Sequence, residues 1–137
     1  MGFGQAIQSY LQNYVTFDGR APRVQVWWVL LFNIVVLVVA SIIDNVLGTN
    51  FQIPGPEGMP IMMPYGWFYL IGALALLLPS LSLAFRRLHD RDKSAWWLLL
   101  SFIPLIGGII LFVWMYCLRG TVGDNRFGPD PLGGKAA

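Results

Sequence analysis

The chain has 137 residues, 56% of them hydrophobic and 12% charged, with a formal net charge of +2 and a mean hydropathy of +0.61. A soluble domain carries about 25% charged residues, so there is too little polar surface here to coat a water-soluble globule, and lipid must cover much of the chain. The basic residues cluster at the ends of apolar runs, which excludes a nucleic-acid footprint, and the single cysteine, Cys117, excludes an internal disulfide.

Residues 1–17 come first. Phe3, Ile7, Tyr10, Leu11, Tyr14 and Val15 recur at helical spacing, with Gln5, Gln8, Ser9, Gln12 and Asn13 between them. The pattern predicts an amphipathic helix too polar to span a bilayer, lying in the membrane interface, with packing on a partner as the alternative. No basic stretch leads into an apolar core here, so a cleavable signal peptide is not expected. Asp18-Gly19 predicts a turn, and Arg20 and Arg23 bracket Ala21-Pro22 ahead of the first apolar run.

Val24–Ile43, Tyr65–Phe85 and Ala95–Leu118 carry no charge, and each reaches the roughly 20 residues needed to cross about 30 Å of hydrocarbon. The predicted fold is therefore an all-α membrane protein: an interfacial helix over 1–17 and three transmembrane helices over 24–46, 65–85 and 95–118. Trp27 and Trp28 open the first span, and its one strongly polar residue, Asn33, suits a bond between helices. Residues 47–64 hold Pro54, Pro56, Pro60 and Pro64 and no Lys or Arg, and read as an irregular external loop. Tyr65, Trp67 and Tyr69 form an aromatic belt at the start of the second span. Gly72, Ala73 and Ala75 offer a small-residue face, and Pro79 predicts a kink. The third segment is interrupted over Pro104–Gly108. It reads as one kinked crossing or as a broken re-entrant hairpin, and the cost of non-helical backbone at depth favours the crossing.

Lys and Arg beside each span set orientation. Arg20 and Arg23 precede the first span, the 47–64 loop has none, and the 86–94 loop has Arg86, Arg87, Arg91 and Lys93. The N-terminus and the 86–94 loop are thus expected in the cytoplasm, with Trp27, Trp28, Trp96 and Trp97 as anchors at that interface. Three crossings would put the tail, residues 119–137, outside despite Arg119, Arg126 and Lys135. A re-entrant third segment would keep every basic residue inside.

Two constellations can carry chemistry. In Arg86-Arg87-Leu88-His89-Asp90-Arg91-Asp92-Lys93, a continuing helix pairs Arg86 with Asp90 at i,i+4 and Arg87 with Asp90 at i,i+3. The bland reading is a topology anchor that touches anionic headgroups. The sharper one is a phosphate site, with paired arginines as a fork and His89 as a proton donor. One histidine with two aspartates is too thin a set for a metal. In the tail, Gly120, Gly123, Asn125, Arg126 and Asp130 stand among turn formers. That stretch reads as a structured cap or a disordered tail, or as a cradle of glycine N–H groups with Arg126 for an anion. It lacks the Lys-Ser/Thr of a nucleotide loop, and no catalytic motif is present.

Four pieces together resemble the domain of unknown function 805 family of small bacterial inner-membrane proteins. They are Tyr14-Val15-x-Phe17-x-Gly19-Arg20-Ala21-x-Arg23 with the tryptophans after it; Arg86-Arg87-Leu88-His89-Asp90; Ser94-x-Trp96-Trp97 with Ile103-Pro104-Leu105-Ile106-Gly107; and Gly120-Thr121-x-Gly123-x-Asn125-Arg126-Phe127-Gly128-x-Asp130-Pro131. Ala95 replaces the usual glycine, Pro22 interrupts the basic motif, and the proline-rich loop is an elaboration. The resemblance implies a multi-pass protein of the bacterial inner membrane and supplies no reaction. The expected role is non-enzymatic: binding anionic lipid, or a protein partner, through Arg20, Arg23, Arg86, Arg87, His89, Asp90, Arg91 and Lys93, without a cofactor. The partners expected are membrane lipids and a further copy or another membrane protein. An oligomeric transporter or channel subunit is the rival, and an enzyme acting on lipid phosphates through Arg86, Arg87, His89 and Asp90 is the third reading.

Overall fold

The computed structural model describes residues 1–133; Lys135 of the basic tail lies outside them. In chain order the elements are α1 (Phe3–Gln12), α2 (Arg23–Leu47), β1 (Asn50–Pro54), β2 (Pro60–Gly66), α3 (Trp67–Asp90), a 3-10 helix (Ala95–Phe102) and α4 (Ile106–Phe112), which runs into a π-helical turn (Val113–Cys117). Two compact units form: residues 31–77, and residues 1–30 with 78–133. At about 1.5 Å per residue, the 25 residues of α2 and the 24 of α3 each exceed the thickness of a bilayer's hydrocarbon. Both carry large apolar side chains exposed along their length, Val35, Val39, Ile42 and Val46 on α2 and Ile71, Leu74 and Leu78 on α3.

In the unit of residues 31–77, the expected irregular loop is instead an antiparallel hairpin, with Gln52 opposite Met62, Ile53 opposite Ile61 and Pro54 opposite Pro60. Prolines at strand ends and in a two-stranded sheet cost few ladder bonds, so four of them do not prevent pairing. The unit closes on Asp44, which is fully buried. Its carboxylate accepts Thr49 Oγ1 at 2.5 Å and the backbone N–H groups of Gly66 at 2.7 Å and of Phe68 and Tyr69 at 3.0 Å. The last two are orphan donors of the first turn of α3. Asp44 thus caps that helix from 24 residues upstream, where anionic charge also meets the positive end of the helix dipole. A methyl group on Gly72 would meet Leu37 and Ala40 at ordinary contact distance, so the approach there does not require glycine.

In the other unit, α1 is helical over a shorter range than 1–17. Its Ala6 and Tyr10 are buried. Gln25 Nε2 donates to Ala6 O at 3.2 Å, Tyr10 Oη bonds Ser80 Oγ at 3.0 Å, and Phe3 meets the Trp28 ring edge-on at 5.6 Å. Phe3, Leu11 and Val15 stay exposed. α3 continues through the buried Pro79 to Asp90.

Segment 95–118 departs most from expectation. It is not a kinked crossing but a hairpin that folds back on itself. The rings of Trp97 and Trp114 meet edge-on at 5.4 Å; in a straight helix these residues would lie about 25 Å apart. Lys93 sits over both rings, at 5.8 and 5.1 Å. The sequence causes the fold-back locally. Pro104 keeps Ile103 out of the helical region (φ −87°, ψ 112°). Leu105 then adopts φ 64°, ψ −61°, and Ile106 N donates to Pro104 O at 2.7 Å, the strained γ-turn that L-residues rarely accept. A side chain on Gly107 would strike the carbonyl of Leu100, so glycine lets the two arms touch. The neighbouring Gly108 faces open space.

These two glycines should respond oppositely to alanine. Gly107→Ala forces the arms apart and is expected to cost roughly 2–3 kcal/mol. Gly108→Ala, at an open helical position, should be neutral or stabilise by up to about 1 kcal/mol. Thermal unfolding of both variants in detergent checks this; equal midpoints would show that the arms do not pack as described.

Candidate functional site

Three segments distant in sequence meet around the end of α3: the linker 18–23, residues 86–93, and the tail from Arg119 onward. α3 stops here because Asp92 adopts a left-handed conformation (φ 57°). Asp92 N donates to His89 O at 2.9 Å and Lys93 N to Leu88 O at 2.9 Å, closing the last turn on its own carbonyls. Arg87 and His89 lie in that turn, where positive charge suits the helix dipole.

Asp90 is the centre. Its Oδ1 accepts Arg20 Nε at 3.0 Å and its Oδ2 accepts Arg87 Nη1 at 2.5 Å. The Arg20, Arg87 and Asp90 side chains are 1%, 0% and 2% exposed. Arg20 also donates to the carbonyls of Thr121 (2.6 Å), Gly123 (2.7 Å) and Gly128 (3.2 Å). Arg87 donates to Met115 O at 2.7 Å, to Trp114 O at 3.2 Å and to Leu118 O. Thr121 N donates to Asp90 O at 2.7 Å. Any side chain on Gly120 would overlap the Asp90 carboxylate, so the glycine is required by close approach. The tail therefore cradles a cation with its carbonyls, rather than an anion with its N–H groups. The anion that Gly123 N does hold, at 2.9 Å, is the chain's own Asp130, which also pairs with Arg119 at 3.2 Å.

The rest of the predicted site separates into side chains that lock the fold and side chains left over. Asn125 Nδ2 donates to His89 O at 2.9 Å, and Phe127 stacks flat on the His89 ring at 4.0 Å. His89 Nδ1 lies 3.1 Å from Gly19 O, which fixes the proton on that nitrogen. Arg91 donates to Arg119 O at 2.8 Å, Arg23 to Cys117 O at 2.5 Å, and Trp27 Nε1 to Tyr116 O at 2.6 Å. Arg126 pairs with Asp92 at 3.3 Å at the surface, both more than 45% exposed. Trp96 is 78% exposed. The predicted Arg87–Asp90 pair forms. The predicted Arg86–Asp90 pair does not, because Arg20 and Arg87 already occupy both oxygens of Asp90. Sequence reasoning missed Arg20 as a partner of Asp90. The only signal was that both fall in short fixed motifs. Among the described residues no cluster suits a metal.

These groups lie past Phe85, where the apolar run ends, and burial sets their ionisation. It lowers the Arg87 guanidinium to about 10, partly offset by Asp90, so the group stays charged at neutral pH. It pushes Asp90 above its ordinary value, against which Arg87 and Arg20 hold the carboxyl down. It lowers Arg86, and lowers His89 despite the bond to Gly19 and the nearby Asp18.

The family described as "Protein of unknown function (DUF805)" matches residues 14–129. Among similar proteins, inner membrane protein YhaH of Escherichia coli (strain K12) is 46% identical over 121 residues, 88% of this chain and 91% of that protein. Inner membrane protein YhaI of the same strain is 42% identical over 123 residues, 90% of this chain and 92% of that protein. No solved structure matches.

Asp90→Asn keeps the shape but leaves two buried guanidiniums without a counter-charge, and should cost roughly 3–5 kcal/mol. Asp92→Asn breaks only an exposed pair and should cost under about 1 kcal/mol. Denaturation of both variants checks the contrast. His89 gives a pH dependence. The unfolded chain takes up a proton near 6.5 and the fold only at lower pH, so stability is complete above 6.5 and is lost as pH falls through the lowered folded value. The melting midpoint should drop by a few degrees between about pH 7.5 and 5.5, and His89→Gln should flatten that drop.

Proposed function

Because the chain belongs to the DUF805 family of proteins of unknown function, two of whose similar members are named inner membrane proteins, we propose that it is a non-enzymatic, multi-pass protein of the bacterial inner membrane. In this reading α2 and α3 cross the bilayer, segment 95–118 enters and returns as a re-entrant hairpin, and both the N-terminus and the tail lie in the cytoplasm. The observation that carries it is the bond from Thr121 N to Asp90 O, with Arg20 bridging Asp90 to the tail carbonyls. A tail bonded to the 86–93 turn lies on the same side of the membrane as that turn. The positive-inside rule supports the same arrangement, since Arg20, Arg23, Arg86, Arg87, Arg91, Lys93, Arg119 and Arg126 then all lie inside. The exposed apolar side chains of the hairpin, among them Trp96, Leu99, Phe102, Leu105 and Ile109, suit burial in lipid.

The charged cluster then divides its labour. Arg20, Arg87 and Asp90 hold the cytoplasmic side together. Lys93 and Arg126, less enclosed, meet anionic headgroups at roughly 1 kcal/mol each, with Trp27, Trp96 and Trp97 as interfacial anchors. A protein partner on the same face is the companion expectation.

Fusing reporters after Ala137 tests the topology. A fluorescent protein there should glow and alkaline phosphatase there should be inactive, as for a cytoplasmic end. An active phosphatase would restore the three-crossing arrangement and sink the re-entrant one.

A further inference from the structure

The buried charges around α3 do not balance. Arg20, Arg86 and Arg87 are enclosed with the Asp90 carboxylate, while the nearby, 4%-exposed Asp130 is paired with Arg119. Arg20 and Arg87 share the Asp90 carboxylate, and several carbonyls take up their remaining N–H groups. Arg86 does not join them. The residue is 4% exposed, its Nε donates to Ser82 O at 3.3 Å, and Nη2 is buried with no acceptor among the described residues. No ion pair of the described residues includes it. A guanidinium enclosed without a counter-ion costs several kcal/mol unless an anion joins it. The Ser82 contact draws the side chain back along α3, and the Ser82 hydroxyl bonds Asn13 O at 3.0 Å, so the turn after α1 adjoins this face. Arg86 also directly follows Phe85, the last residue of the apolar run. Phe85 packs on Phe17 at 4.9 Å and lines an apolar cavity of about 380 Å³ with Ala95, Trp96, Leu98 and Leu99.

We infer that Arg86 is the anchor of an anion site at headgroup depth, taking a phosphate oxygen on its free Nη2. A planar fork with one edge unoccupied suits phosphate better than a point charge does. The depth of the site rests on the membrane reading above; the uncompensated guanidinium does not. The phosphate comes either from an anionic lipid, whose acyl chain the cavity beside Phe85 suits, or from a soluble phosphate.

The test uses the full chain purified in chloride buffer and a phosphate-free detergent. Its melting midpoint is followed with inorganic phosphate in one arm and with phosphatidylglycerol added to the micelles in the other. A rise of about 5 °C is expected in at least one arm. If only phosphatidylglycerol gives it, the source is the membrane; if inorganic phosphate suffices, the source is soluble. Arg86→Met should abolish the rise, while without added anion it should melt at or above the unsubstituted chain, since it removes an uncompensated charge. Lys93→Gln with Arg126→Gln should keep the rise. Its loss there would move the anion to the surface cations, and a rise of equal size in Arg86→Met would overturn the assignment, as would no rise in either arm. If Arg86→Met does not fold, Arg86→Lys, which keeps charge but not the fork, must lose at least half of the rise, or the assignment fails. The reporter fusion at Ala137 reads topology separately, so either conclusion can fall without the other.

Discussion

The Asp90 carboxylate lies between two guanidiniums where almost no water reaches, one oxygen turned to Arg20 and the other to Arg87. Either arginine alone would be expensive to enclose. Together with the carboxylate and a ring of backbone carbonyls they become the point on which the linker, the end of α3 and the tail converge. The carbonyls matter as much as the carboxylate. Thr121, Gly123 and Gly128 turn theirs onto Arg20, and Trp114, Met115 and Leu118 turn theirs onto Arg87. Segments that lack a regular ladder thus have their polar groups satisfied by side chains, as buried backbone requires.

Asp44 plays a comparable part within its own unit. There the donors are backbone N–H groups rather than guanidiniums, and the carboxylate holds the hairpin's end and the first turn of α3 together. Each unit is organised by one buried acid. Both oxygens of each acid accept bonds from the chain's own donors. The charges after Phe85 tie together short, irregular segments that have no regular ladder of their own.

Much of this was legible in the sequence, and the reasons for the rest are physical. The two long apolar runs announce themselves by composition, and α2 and α3 cover them. The i,i+3 pairing of Arg87 with Asp90 follows from helix geometry alone. The pairing of Arg86 with Asp90 follows equally from spacing and does not occur, since a partner 70 residues away takes the oxygen it needed. Local periodicity carries no information about such a competitor. The hairpin over residues 47–64 was hidden because proline usually argues against strands, and a two-stranded edge is where it is tolerated. Segment 95–118 was long enough to cross by its count of apolar residues. Its fold-back comes from backbone conformation at Pro104 and Leu105 and the missing side chain of Gly107, none of which hydropathy registers. The tail's turn formers left its partners open: its carbonyls receive Arg20 and its Gly123 N–H receives Asp130.

The contacts of Arg20 have a consequence in time. This side chain is bonded to carbonyls 101, 103 and 108 residues further along the chain. Synthesis runs from the N-terminus, so Arg20 is made first and its partners close to last. Until the tail emerges, Arg20, Arg87 and Asp90 have lost their main enclosure and remain accessible charge beside two already apolar helices. These arginines are withdrawn from water only once the chain is complete. The order of synthesis thus leaves these charges exposed first and makes them internal fasteners last.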